Sequence, residues 1–124
     1  MLMTRRAFRR LVQQAMDELP QQVLSVLDNV SIVVESEPSE EQRERMRIAE
    51  HDSLYGLYEG VPLTQRTSYY GMVLPDKITL FQRPLEMDAS SSEELLVQVK
   101  RTIVHEIAHH VGWNDKDIRR MGFG

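Results

Sequence analysis

The chain has 124 residues, enough for one domain with a single core and too few for a separate substrate-binding subdomain, so any cleft is expected to be shallow or shared. Fifteen Lys and Arg against nineteen Asp and Glu give a formal net charge of −4, which argues against a general nucleic-acid-coating role. There is no cysteine, so disulfides and thiolate metal sites are excluded and any metal must be held by histidine and carboxylate.

From Thr4 to Leu19 the apolar residues Phe8, Leu11, Val12, Ala15, Met16 and Leu19 recur at helical spacing, with Thr4 as N-cap and an arginine face of Arg5, Arg6, Arg9 and Arg10 turned to solvent. No signal-peptide core follows those arginines, and no apolar run approaches the roughly 18 residues of a membrane span, so a cytoplasmic protein with no membrane partner is expected. Pro20 suits the first turn of a second short helix carrying Val23, Leu24 and Leu27. Val30 to Glu35 begins a β-strand. Ser36 to Asp52 is too polar for core and is expected to be a loop containing some helix, supported by pairs such as Glu41 with Arg45; His51 at its end is expected to be solvated. Leu54 to Tyr58 fits a second strand, and Glu59 to Pro62 a turn. The stretch from Leu63 to Met72 carries Arg66, Thr67, Tyr69 and Tyr70, residue types able to stabilise an oxyanion, although a half-buried tyrosine is the commoner role. After Pro75-Asp76-Lys77 comes the clearest strand, Ile78 to Gln82, with Pro84 ending it.

Asp88 to Ser92 is a polar link in which Ser92 looks like the N-cap of the main helix, with Glu93 and Glu94 in a first turn where the helix dipole favours negative charge. The helix is expected to run to about Val111. Leu96, Val99, Ile103 and Ile107 share one face, while Gln98, Arg101, Thr102, His105 and His109 line the opposite one. His105 and His109 are four residues apart, one above the other, and can offer imidazole nitrogens to one ion; Glu106 is rotated about 100° from His105 and is placed to take a proton from a metal-bound water. Gly112, seven positions after His105, can leave the helix with positive φ and let the chain fold back to present Asp115 as a third ligand. Asp115-Lys116-Asp117-Ile118 also reads as a helix start, where aspartate caps free N–H groups. His110 lies off the face shared by His105 and His109 and fits a surface or supporting role.

The whole motif, HExxHxxGxxD, resembles the metzincin-type zinc metallopeptidases in the variant with aspartate as third ligand, and the short chain is most similar to the minimal zincin-like metallopeptidases of bacteria. The specific likeness covers about a dozen residues, with a looser one at Gly56 to Leu63 and at Ile78 to Phe81. It departs from typical metzincins in its aspartate and in lacking a distant downstream methionine turn, Met121 being the sole methionine after the motif. The resemblance implies an α+β, zincin-like fold with a small mixed sheet of about three strands packed on the active-site helix, and N-terminal helices covering another side. It implies zinc on His105, His109 and Asp115, with Glu106 as general base in peptide hydrolysis. It also implies an edge strand beside the helix that pairs with an extended peptide substrate. Ile78 to Gln82 is the candidate, the alternative being a central strand paired on both sides. Two other readings stay open: a non-catalytic zinc-binding interaction module, and a metal-dependent endoribonuclease of related HxxxHxxGxxH spacing, whose histidine third ligand this chain lacks.

Overall fold

The computed structural model describes residues 2–48, 54–60 and 76–123. Among them are six helices and three strands: α1 (Arg5–Asp17), α2 (Gln21–Leu27), β1 (Val30–Glu35), α3 (Glu40–Ile48), β2 (Gly56–Glu59), β3 (Asp76–Phe81), α4 (Gln82–Asp88), α5 (Ser92–Val111) and α6 (Asp115–Arg120). The sheet order is β1-β3-β2, with β1 parallel and β2 antiparallel to β3, so the expected α+β class with a small mixed sheet holds. No helix among the described residues is long and apolar enough to cross a membrane.

The strand nominated as the free edge is the central one. Ile78 pairs with Ile32 of β1 on one side and with Tyr58 of β2 on the other. The pattern explains why: Ile78 and Leu80 point into the helical core while the alternate residues Thr79 and Phe81 are also fully buried, the signature of a strand covered on both faces. Among the described residues the edge beside α5 is therefore β2. Pro84 does not end the strand against a loop. The chain passes straight from β3 into α4, and Pro84 sits in that helix's first turn, where a missing N–H costs no helical hydrogen bond.

The core is built around α5. Val99, Ile103, Val104, Ile107 and Ala108 are fully buried against Phe8, Leu11, Val12 and Ala15 of α1 and against Ile78 and Leu80 of β3. Burial of each large aliphatic side chain here contributes about 1.5–3 kcal/mol. Leu96, expected on this face, is half-buried, and Leu95 takes the fully buried place. Thr4 caps α1 as expected, its Oγ1 accepting from the Ala7 N–H at 3.0 Å. Pro20 stands one place earlier than expected, as the N-cap residue of α2.

Arg5 does not belong to the solvated arginine face. Its guanidinium donates to Gln82 Oε1 at 2.6 Å, to the Val34 carbonyl at 3.1 Å and to Ser36 Oγ at 2.6 Å, tying α1 to the ends of β1 and β3. Arg6, Arg9 and Arg10 are exposed. The polar stretch after β1 forms α3, with Arg45 paired to Glu41 at 3.0 Å and to Glu59 of β2 at 2.6 Å. The expected solvation of His51, and the Arg66, Tyr69 and Tyr70 candidates for oxyanion binding, lie outside the described residues.

Candidate metal centre

The histidines stand on the last two turns of α5, whose ends are both set by local chemistry. Ser91 is the N-cap, one place before the residue expected, and its Oγ accepts from the Glu94 N–H at 3.1 Å, leaving Ser92 as the first helical residue. At the other end Gly112 adopts φ +81°, a left-handed conformation that costs little without a Cβ. The N–H groups of Gly112 and Trp113 both donate to the Ala108 carbonyl at 2.9 Å, closing the helix. The chain then turns back. Asn114 caps α6 in a reciprocal box, its Oδ1 accepting from the Asp117 N–H at 2.9 Å while Asp117 Oδ2 accepts from the Asn114 N–H at 3.0 Å. Ile118 is buried in the core, with Trp113, Met121 and Phe123 packed beside it, so the segment after the motif is held under α5.

His105 is half-buried, with Nε2 3.4 Å from the Phe123 carbonyl oxygen. His109 is exposed one turn further along the same helix. Glu106 is only 1 % exposed, and its Oε1 accepts the backbone N–H of Tyr58 at 3.0 Å. Asp115 is the first residue of α6 and is exposed; Asn114 and Asp117 do the capping, so the capping role offered for Asp115 belongs to its neighbours. Among the described residues no three His, Asp or Glu side chains are gathered as a group that could hold a metal. The motif thus presents two imidazoles and an adjacent buried carboxylate on α5, with Asp115 at the start of α6 beyond the turn.

What brings β2 so near the helix is Gly56. A Cβ built on it would lie 2.7 Å from Thr102 Cγ2 on α5 and 3.2 Å from the Thr79 carbonyl on β3. Thr102, expected on an open face of α5, is buried by this contact, and its Oγ1 donates back to the Gln98 carbonyl at 2.8 Å. The Phe81 N–H donates to the Tyr55 carbonyl at 2.8 Å, which makes that pair a hydrogen-bonded one. By antiparallel alternation the Leu57–Thr79 pair is also hydrogen-bonded, and the backbone groups of Gly56 and Tyr58 point away from β3. The Tyr58 N–H that meets Glu106 is one of these outward groups.

Around this contact lies a cluster that the sequence reading missed. The Tyr58 ring stacks on the His110 ring with centroids 4.1 Å apart and planes 16° from parallel. The Tyr58 hydroxyl donates to Asp76 Oδ2 at 2.7 Å, and His110 Nε2 lies 3.6 Å from the same oxygen. Glu106 and His110 are themselves four residues apart, the signal that they share a helix face. A separate groove of about 610 Å³, lined by Pro38, Met46, Leu54, Pro84 and Met87 among others, opens at the far end of β3 and is not part of this site.

The chain matches a family described as zincin-like metallopeptidase over residues 27–124. No match is found among curated proteins. Among solved structures it is similar to a conserved hypothetical protein from Thermo thermophilus, with 24 % identity over 88 % of this chain and 94 % of that one and a TM-score of 0.53, a likeness of fold.

Proposed function

This chain belongs to the zincin-like metallopeptidase family, and on that premise we propose that it hydrolyses peptide bonds with zinc held by His105 and His109, Asp115 as the third ligand and Glu106 as the general base. Two imidazoles one helical turn apart, one half-buried and the other exposed, are a donor pair suited to zinc, and the absence of cysteine leaves histidine or carboxylate to complete the set, Asp115 being the carboxylate that follows the turn. When bound, zinc polarises a carbonyl and acidifies water at its open position.

The protein's own part rests on Glu106. A carboxylate buried to this degree and held through Oε1 by a backbone N–H keeps one orientation without reorganising. It takes a proton from the attacking water and delivers it to the leaving amine, a contribution of about 10²–10⁴ in rate. An extended peptide pairs with the outward backbone groups of β2 other than the Tyr58 N–H that Glu106 holds, along a strand directly beside α5, a binding mode that needs no deep pocket. The observation that carries this reading is the meeting of the two: the buried base is hydrogen-bonded to the strand on which the substrate is to lie.

A peptide library digested with zinc-loaded wild type and with Glu106→Gln tests it. Cleavage by the wild type and loss of turnover of at least about 10²-fold in the variant are expected. Full activity in Glu106→Gln would refute the base. Cleavage of RNA and not of peptides would reverse the choice of substrate, and zinc bound with no hydrolysis and a co-purifying protein would favour a non-catalytic module.

A further inference from the structure

The last histidine of the motif has no place among the proposed ligands, yet it is engaged more closely than an exposed side chain needs to be. His110 is one turn beyond Glu106 on the same helix face, the face against which β2 docks. Tyr58 meets that face twice, through its backbone N–H on Glu106 Oε1 and through its ring on His110. Asp76, the first residue of β3 and itself buried, accepts from the Tyr58 hydroxyl at 2.7 Å and lies 3.6 Å from His110 Nε2, so it holds both rings from behind. β2 is only four residues long, and among the described residues no strand pairs with its outer side. Beside the ladder to β3 and the Gly56–Thr102 contact, the stack gives this short strand a further hold on α5. A slide of β2 along α5 would unstack the rings and draw the Tyr58 N–H off the carboxylate together.

We propose that Tyr58, His110 and Asp76 form a clasp that positions the Glu106 carboxylate, His110 acting through Tyr58 and not on the reacting atoms. The inference rests on Glu106 being the base. It assigns the Glu106/His110 pair to docking the edge strand, while His105/His109 serve the metal.

Amide hydrogen exchange of the full chain, followed residue by residue by NMR, tests the clasp without depending on turnover. In His110→Ala the Tyr58 amide is expected to exchange about threefold to tenfold faster, the size of one aromatic stack. The Leu57 amide, bonded within the sheet, should keep its wild-type rate. His110→Phe, which retains a ring, should restore Tyr58 protection, and zinc content should match wild type in both variants. On a peptide found by the library screen, His110→Ala should lower kcat with KM little changed, and His110→Phe should recover most of it. A Tyr58 amide unaltered in His110→Ala, or Tyr58 and Leu57 accelerated equally, would overturn the clasp. An unaltered kcat would overturn its role in positioning the base. A wild type with no peptidase activity would instead sink the reading of Glu106, and the exchange pattern would still decide whether the clasp exists.

Discussion

Replacing Gly56 with alanine perturbs the contact that lets β2 lie against the motif helix. The added methyl would sit 2.7 Å from Thr102 Cγ2, well inside van der Waals contact, and 3.2 Å from the Thr79 carbonyl oxygen. Neither wall gives easily. Thr102 is β-branched, 4 % exposed and held by its 2.8 Å hydrogen bond to Gln98, and the second wall is backbone of the central strand. Relief therefore requires Thr102 to leave its rotamer or β2 to lift from α5, an overpacking cost of about 1–3 kcal/mol. Thr102→Ser removes the offending methyl but keeps the hydroxyl, and alone should cost about 0.8 kcal/mol for one buried carbon. In the double variant the serine makes room for the alanine, so urea unfolding should show a loss smaller than the sum of the two by about 1 kcal/mol or more. Additive losses would refute the idea that Gly56 is there for close approach to Thr102. Lifting β2 also withdraws the Tyr58 N–H, so Gly56→Ala should lower kcat further than its stability loss explains, and Thr102→Ser should restore part of it.

Three other outcomes follow from the same geometry. Thr79→Val should leave stability unchanged or raise it, because the Thr79 hydroxyl is fully buried, has no hydrogen-bond partner among the described residues and carries a desolvation cost of about 1–3 kcal/mol; a clear fall in the urea midpoint would contradict this. Asn114→Ala removes the cap of α6 and should cost about 1 kcal/mol, with loosening confined to the segment after Gly112 in hydrogen exchange. The hydrogen bond from Lys100, with a smaller one from Gln14, holds the Glu18 carboxyl below its usual range, so this pairing stabilises the fold above the ordinary carboxylate pKa and is lost as pH falls through the lowered value. Lys100→Gln should accordingly lower the melting temperature at pH 7, with the gap from wild type narrowing in acid and in high salt; a gap independent of pH would refute the link.

The helix that carries the motif was legible because its signals are local. Capping serine, acidic first turn, two histidines at one-turn spacing and a glycine with positive φ each act within a few residues, and the structure differs only in moving the cap from Ser92 to Ser91. Strand positions were legible for the same reason, from apolar alternation between turn residues. Strand order was not. Ile78-Thr79-Leu80-Phe81 carries two large apolar residues on one face and one on the other, and its pairing on both sides depends on β1 and β2, neighbours far along the chain. The open face of α5 was misjudged at Thr102, a polar residue that β2 covers. Periodicity cannot reveal a partner that arrives from some fifty residues upstream, which is how Tyr58 comes to meet Glu106 and His110. Arg5 illustrates the same limit, since three acceptors from β1, its following turn and α4 withdraw it from a face whose other arginines are solvated.

On the proposed reading the motif holds zinc through His105 and His109, with Asp115 completing the set. Metal content by mass spectrometry tests it most directly, on protein purified without chelators, as wild type, Glu106→Gln, His109→Ala and Asp115→Ala. One zinc per chain is expected in wild type and in Glu106→Gln, with loss in His109→Ala and in Asp115→Ala. A wild type that stays metal-free after incubation with zinc would contradict the claim outright, and full zinc in Asp115→Ala would remove aspartate from the ligand set.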